Sequence, residues 1–275
     1  MVSGPTIRNH QFDLLRILFA ILVVYSHAFE LTDGNNHREL LCRITHQDFS
    51  FGMLAVDGFF LLSGYLIVKS WMSKPQLLDF TTKRFLRIAP GYAVATLTTT
   101  FVIGYLAPTE AHQLTHLRLD FAHSLLFIFP PSSPEVFPGN HVRILNGSLW
   151  TILYEFRCYV LVALFGILGL LRKPVLWLGT TAVLLAFLLR QDLARALPWS
   201  AEMLALLGKP DRIARLAAVF FVGGCFYLYR SKVQFTPVLA VASVALILIV
   251  RLAFPASIET AFVLGGGLPA LLLHP

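Results

Sequence analysis

The chain has 275 residues, of which 56% are hydrophobic and only 13% charged, and its mean hydropathy is +0.70. A disordered tail, a nucleic-acid module and a disulfide scaffold are excluded together, because the apolar residues come in blocks of about 16 to 22 separated by short polar joins. The net charge of +7 arises from 22 Lys and Arg against 15 Asp and Glu, with the basic residues gathered in a few joins, which is the positive-inside pattern of an integral membrane protein.

At about 20 residues per crossing, the sequence predicts an all-α, polytopic transmembrane bundle of about eight spans, near 13–31, 51–71, 88–106, 147–171, 174–190, 213–230, 236–254 and 258–273. The first reads as a retained span and not a cleaved secretory signal. Arg16 and His27 interrupt its apolar run, and no small-x-small cleavage site follows in Glu30-Leu31-Thr32-Asp33. The apolar stretch from Phe121 to Phe129 is too short to cross and ends in Pro130-Pro131, so a re-entrant or interfacial segment is expected there. No repeat or inter-domain linker is visible, and residues 1–275 read as one domain.

Orientation follows from the joins. The join after the second span carries Lys69, Lys74, Lys83, Arg84 and Arg87 against Asp79, whereas 32–50 carries Arg38 and Arg43 against Asp33, Glu39 and Asp48. A cytoplasmic N-terminus is therefore expected. Residues 190–215 disagree: Arg190, Arg195, Lys209, Arg212 and Arg215 fall on the side that the span count places outside, so either a short helix at 199–208 intervenes or a span is miscounted.

Ionisable side chains inside spans are costly and mark function unless they snorkel or pair structurally. Arg16 and His27 are eleven positions apart, which on a helix leaves them about 20° apart in azimuth and roughly 16 Å apart along the axis. A long substrate against that face would meet a fixed cation at one end and an imidazole suited to proton transfer at the other; an interfacial Arg and a satisfied His is the alternative. Asp57, in the apolar stretch Val56-Asp57-Gly58-Phe59-Phe60-Leu61-Leu62-Ser63-Gly64-Tyr65, needs a partner, and Arg16 or His27 is the expected one. The two glycines of that stretch allow a helix or a ligand to approach closely. Ser148, Glu155 and Tyr159 fall on one helix face with Thr151 close by, a polar stripe able to bind a hydroxylated acceptor or tune a catalytic histidine. Arg157 points elsewhere, toward a neighbouring helix. Lys83, Arg84 and Arg87, at the entrance of a helix whose first turn holds Pro90, form a cationic patch suited either to phosphates or to lipid headgroups.

Other signals are weaker. His112, His116, His123 and His141 lack a Cys or close carboxylate to complete a tetrahedral set, so no metal is expected. Gly265-Gly266-Gly267 lies in an apolar span and not after a strand, where it serves packing and not a nucleotide loop. Cys42, Cys158 and Cys225 are an odd set with two members inside apolar blocks, which implies no disulfide framework, and Cys158 reads as a small buried thiol.

Taken in order, these pieces resemble the membrane-bound acyltransferase-3 family, which includes O-acetyltransferases of bacterial surface polysaccharides. The resemblance rests on Phe12-Asp13-Leu14-Leu15-Arg16 with His27 beyond, on Asp57-Gly58-Phe59-Phe60-Leu61-Leu62-Ser63-Gly64-Tyr65, on Lys83-Arg84-Phe85-Leu86-Arg87-Ile88-Ala89-Pro90, and on Asn146-Gly147-Ser148-Leu149-Trp150-Thr151 continuing to Tyr154-Glu155 and Tyr159. Phe220-Phe221-Val222-Gly223-Gly224 with Tyr227 resembles a further family segment more loosely. The resemblance implies a multi-pass enzyme of the bacterial plasma (inner) membrane. Acyl-CoA, usually acetyl-CoA, is its cytoplasmic donor and co-substrate, no cofactor is needed, and a hydroxyl of a glycan, lipid-linked glycan or other envelope molecule accepts the acyl group. It implies further that His27 and Arg16 carry the catalysis, with His27 as general base on the acceptor or in an acyl relay, and that Arg84 and Arg87 serve the donor; Glu155 joins the expected catalytic set on the strength of its helix face. Asp57, Tyr159, Ser148 and Trp150 are then expected to bind substrate or orient the histidine. The expected partners are this donor, the acceptor and the lipid bilayer, with no nucleic acid. The family usually runs to about ten spans, so a chain of about eight reads as a fragment, a truncated gene product or a shorter subtype. Two readings compete with the enzyme: a transporter of a sugar, polyol or lipid-linked glycan, since intramembrane His, Asp and Glu also mark proton relays, and an inactive membrane partner.

Overall fold

The computed structural model describes residues 10–45, 47, 49–98, 139, 141, 142, 147–189 and 210–232, and every element among them is helical. Helix α1 spans His10–Asp33, α2 Leu40–Ile44, α3 Phe51–Ser73, α4 Leu77–Leu97, α5 Trp150–Ile167, α6 Pro174–Leu189 and α7 Pro210–Leu228. Among the described residues, Phe12–Asp33, Phe51–Ser73 and Gly147–Ile167 are long and apolar enough to cross a membrane, and Pro174–Leu188 is a shorter apolar helix. A helical membrane bundle is thus what these residues form. The expected spans near 236–254 and 258–273, the segment from Phe121 to Phe129, the short helix at 199–208, Gly265-Gly266-Gly267, and His112, His116 and His123 lie outside the described residues.

Three expected boundaries shift, each for a local reason. Helix α4 begins at Leu77 and not near residue 88, so Pro90 lies inside it and not in its first turn. Residues 77–87 are too polar to register as a span, yet they keep helical periodicity, burying Phe80 while Lys83 and Leu86 face outward. Pro90 lacks the N–H that would reach the carbonyl of Leu86, four residues earlier. Helix α5 is capped at Leu168, and Gly169 takes a left-handed φ of 68° before the 3₁₀ turn Leu170–Arg172; Pro174 then opens α6, as proline does at a first helical position. Helix α7 likewise opens on a proline, Pro210, which puts Arg212 and Arg215 on the helix and not in the join.

Helix α3 is the centre of the bundle, packed against α1, α5 and, most extensively, α7. The α3–α7 contact is backbone on backbone. A Cβ on Gly64 would collide with the carbonyl oxygen of Phe220, and a Cβ on Gly223 with that of Leu61. Of the two glycines of the Asp57 stretch, Gly64 thus receives the backbone of α7, and Gly58 receives the Phe19 ring of α1. Around them Phe60, Val68, Trp71, Tyr154, Val162 and Phe220 form one buried cluster, in which Trp177 stacks on Phe221 at 4.0 Å between ring centroids and donates from Nε1 to the Phe221 carbonyl (2.9 Å). A second cluster, Phe12, Leu15, Phe19, Ala55 and Leu62, seats α1 on α3.

The turn from α1 to α3 is held by polar contacts. Gly34, with φ of 74°, closes α1 by donating its N–H to the Glu30 carbonyl (2.9 Å), a left-handed C-terminal cap. Ser50 caps α3 by accepting from the Met53 N–H (3.0 Å). The buried Glu39 carboxylate accepts from the Ser26 hydroxyl (2.7 Å) and from the Phe51 N–H, satisfying one of the open amides of the α3 N-terminus. No reading of the sequence alone singled out Glu39.

Adding a Cβ at the crossing should cost far more than adding one on an open helix surface. Gly64→Ala or Gly223→Ala is expected to destabilise by about 3 kcal/mol, the upper end for overpacking. Gly179→Ala, where an added Cβ meets nothing within 4 Å, should be neutral or stabilising by up to about 1 kcal/mol. Thermal unfolding of the detergent-purified variants followed by near-UV circular dichroism checks this.

Candidate active site

Two cavities lie side by side between α1, α3 and α5. The larger, about 1130 Å³, is lined by Ser26, His27 and Glu30 of α1, Ser50, Gly52, Met53, Val56 and Phe59 at the start of α3, Ser148, Trp150, Thr151 and Ile152, and Arg212 and Arg215 of α7. The smaller, about 410 Å³, is lined by Arg16 of α1, Phe60 and Ser63 of α3, Arg87, Ile88, Gly91 and Tyr92 of α4, and Glu155 of α5. Val56, Phe59, Thr151 and Ile152 line both. They form a shared wall of three apolar side chains and one hydroxyl. The single face of α1 expected for Arg16 and His27 therefore serves two chambers, one residue to each.

In the larger chamber His27 is oriented by a carboxylate. Its Nδ1 lies 2.7 Å from Glu30 Oε2, one helical turn on, where i and i+3 side chains meet. The other oxygen, Glu30 Oε1, accepts from Asn36 Nδ2 (2.9 Å). With Glu30 as a carboxylate, Nδ1 must donate, which leaves Nε2 of the neutral ring as a proton acceptor. Asn36 is brought over Glu30 by the turn after α1, which the Arg38–Asp33 pair also braces (2.5 Å). The carboxylate on the histidine is thus Glu30, and neither Asp57, Glu155 nor Tyr159 makes that bond. Glu30 is visible in the sequence only as the residue three beyond His27.

Asp57 corrects a second expectation. Its partner is neither Arg16 nor His27 but Arg215 of α7, whose Nη1 lies 3.7 Å from Asp57 Oδ1, with both residues buried. Asp57 stands behind the chamber and holds Arg215 at its edge. The charges that contradicted the positive-inside count near residue 215 are in part this pair and in part Arg212, whose guanidinium lies 4.6 Å over the Trp150 ring. The disagreement in the charge count was the sequence signal that these arginines have an internal use.

In the smaller chamber Glu155 accepts from Ser63 Oγ (2.8 Å) and from the Tyr159 hydroxyl. Arg16, Arg84 and Arg87 all lie within electrostatic range of Tyr159, and Arg16 and Arg84 within range of Glu155. Arg16 also faces Asp13 at 3.6 Å. The expected patch of Lys83, Arg84 and Arg87 is divided by the helix that carries it. Arg87 lines the chamber, Arg84 leans over Phe80 at 6.0 Å, and Lys83 turns away to Asp79 (2.6 Å), which Lys74 also reaches (2.9 Å). Those two lysines hold the Asp79 carboxyl below the usual carboxylate range.

The expected polar stripe of α5 survives in divided form. Ser148, in the 3₁₀ turn Gly147–Leu149, and Trp150 line the His27 chamber, Thr151 the shared wall, and Glu155 the Arg16 chamber, with Tyr159 behind Glu155. Arg157 lies over the Tyr154 ring of its own helix (5.2 Å) and lines neither chamber. Among the described residues no group of His, Cys, Asp and Glu has the arrangement of a metal site, and all three cysteines are free thiols. Burial raises the Cys42 thiol above its ordinary value.

The chemistry available is a carboxylate-oriented imidazole facing a large chamber, beside a compact chamber with two arginines and a hydrogen-bonded glutamate. Breaking the buried ion pair should damage the fold more than the surface. Asp57→Ala, which leaves Arg215 buried without its carboxylate, is expected to destabilise by about 3 kcal/mol, and Asp57→Leu with Arg215→Met by distinctly less. A double-mutant cycle on thermal unfolding checks the pair.

A family model described as an acyltransferase domain matches residues 9–272. An O-acetyl transferase of Shigella phage Sf6 is 32% identical over 161 residues, which cover 56% of this chain and 45% of that protein. Nodulation protein 10 of Rhizobium leguminosarum bv. viciae is 29% identical over 167 residues, covering 55% of this chain and 42% of that protein. The matched part is thus less than half the length of each relative. No solved structure matches the chain.

Proposed function

The chain belongs to the acyltransferase-3 family, whose acyltransferase-domain model it matches over residues 9–272, and from that premise we propose that it is a membrane-embedded O-acyltransferase that moves an acyl group, acetyl in the simplest case, from acyl-CoA to a hydroxyl of an envelope glycan. One observation carries the reading: the oriented histidine and the arginine chamber meet at a wall of four residues, Val56, Phe59, Thr151 and Ile152. His27 on one side of that boundary, and Arg16 and Arg87 on the other, support a base for the acceptor and cations for the donor. The name of the phage relative, an O-acetyl transferase, agrees with oxygen as the accepting atom.

The donor occupies the smaller chamber. Arg87 and Arg84 meet CoA phosphates at the α4 side, as guanidinium groups meet phosphate oxygens, and the thioester lies toward the shared wall. The acceptor occupies the larger chamber with its hydroxyl on Nε2 of His27. His27 takes the hydroxyl proton as the oxygen forms its bond to the thioester carbonyl carbon. The C–S bond then breaks, and the proton held on His27 passes to the leaving thiolate, so the imidazole ends neutral. Glu30 keeps the tautomer correct and offsets the charge of the imidazolium. Arg16, with Glu155 and Ser63 beside it, holds the donor's carbonyl or an anionic part of it in place. Residues 1–275 act as one domain in this scheme, the protein lies in a bacterial inner membrane with α1 entering from the cytoplasm, and no cofactor beyond the co-substrate takes part.

Transfer of labelled acetyl from acetyl-CoA into envelope glycan, in membranes holding equal amounts of each variant, tests the proposal. His27→Ala should lower the rate by about 10² to 10⁴, the range for a lost general base. Glu30→Gln should lower it by at least about 10-fold through the wrong tautomer, with KM for acetyl-CoA unchanged. Full activity in His27→Ala would end the assignment of the base. Wild-type activity that runs on an ion gradient with no need of acyl-CoA would make the protein a transporter.

A further inference from the structure

The larger chamber contains a cation that the transfer scheme leaves without a task. Of the two arginines on its α7 side, Arg215 is committed to the buried Asp57. Arg212, one turn earlier, forms no ion pair among the described residues, and its guanidinium is laid over the Trp150 indole at 4.6 Å. Trp150 is itself braced edge-on by Tyr154, at 5.4 Å between centroids. A half-buried guanidinium stacked in this way is held flat by the ring, while the N–H groups at its edge stay free to bind a planar or tetrahedral oxyanion. Trp150, Arg212, Ser148 and His27 line the same chamber of about 1130 Å³, above the roughly 300–1,000 Å³ of ordinary small-molecule sites. That space suits an acceptor of more than one ring.

We propose that Arg212, clamped on Trp150, is an anion subsite for the acceptor: it binds a carboxylate or phosphate carried by the glycan and so sets which hydroxyl reaches His27. The inference rests on the acyl-transfer reading for the role of His27, whereas anion recognition by Arg212 stands on the clamp and the chamber alone. The oxyanion has two possible sources, a uronate carboxylate on a sugar ring or a phosphate joining the glycan to its lipid carrier, and both use the same guanidinium edge. Lysine would supply the charge without the stacked, two-pronged geometry. Trp150 is therefore a positioning residue, acting through Arg212.

Binding tests the subsite without any need for turnover. Three trisaccharide probes, one bearing glucuronate, one bearing a phosphate monoester and one neutral, are titrated calorimetrically into the detergent-purified full chain. The wild type should bind one or both anionic probes at least about 10-fold more tightly than the neutral one, and whichever anion gains identifies the source. Arg212→Gln should erase that preference while leaving the neutral probe and CoA unchanged, and Trp150→Phe should reduce it. Equal binding of all three probes by the wild type overturns the proposal without recourse to any variant. It is also overturned if Arg212→Gln keeps the preference, or weakens CoA and spares the glycans. A wild type that prefers the anionic probes yet transfers no acetyl to them would sink the acyl-transfer reading and leave the anion subsite standing.

Discussion

The direct contact between the backbones of α3 and α7 is the constraint on which the rest depends. Leu61 and Phe220 each place a carbonyl oxygen where the Cβ of Gly223 or Gly64 would otherwise stand, so the two helices lie closer than side chains would allow. Because α3 also carries α1 and α5, the helices that line the chambers are assembled on an element that this crossing anchors. It sets Asp57 of α3 opposite Arg215 of α7, and it turns Val56 and Phe59 toward Thr151 and Ile152 of α5 as the wall between the chambers.

Charge is then distributed by what an apolar bundle tolerates. A buried ionic group needs its partner inside the protein, and three of the carboxylates near the chambers are engaged by neighbours: Glu39 by Ser26 and Phe51, Glu30 by His27 and Asn36, Glu155 by Ser63 and Tyr159. These bonds do different work. Glu39 ties the end of α1 to the start of α3 and so fixes the stretch of α1 that carries His27. Glu30 sets the tautomer of the histidine itself. Glu155 lies among arginines and belongs to the other chamber. The same side-chain type thus ties two helices, holds a histidine ring and stands among arginines within one bundle, and the element each one faces decides which.

Part of this was legible in the sequence and part was not, for physical reasons. Membrane helices could be read from long apolar runs, and Arg16 and His27 stood out because an ionisable group in such a run has few cheap explanations. The polar stripe of α5 followed from helical periodicity alone. The first half of α4 escaped notice because hydropathy senses composition, whereas that segment is helical by its periodicity, burying Phe80 with charged residues around it. The partner of Asp57 could not be read because it comes from a helix more than 150 positions later in the chain, and no local pattern encodes such a pairing. Arg212 and Arg215 were present as an anomaly in the charge count. Only the start of α7 at Pro210 turned those loop charges into helix residues facing a chamber. Glu30 was in helical reach of His27, but at the very end of the span expected near 13–31 it carried no motif of its own.

The central claim is that donor and acceptor meet at the wall shared by the two chambers. An acyl-CoA analogue whose acyl group carries a photoreactive diazirine tests it most directly, with the crosslinked residues identified by mass spectrometry after irradiation of purified protein. Meeting at the wall predicts label on Val56 or Phe59 of α3 and on Thr151 or Ile152 of α5, suppressed by excess acetyl-CoA. Competable label confined to residues away from both chambers, or label at the wall that acetyl-CoA does not suppress, would contradict it.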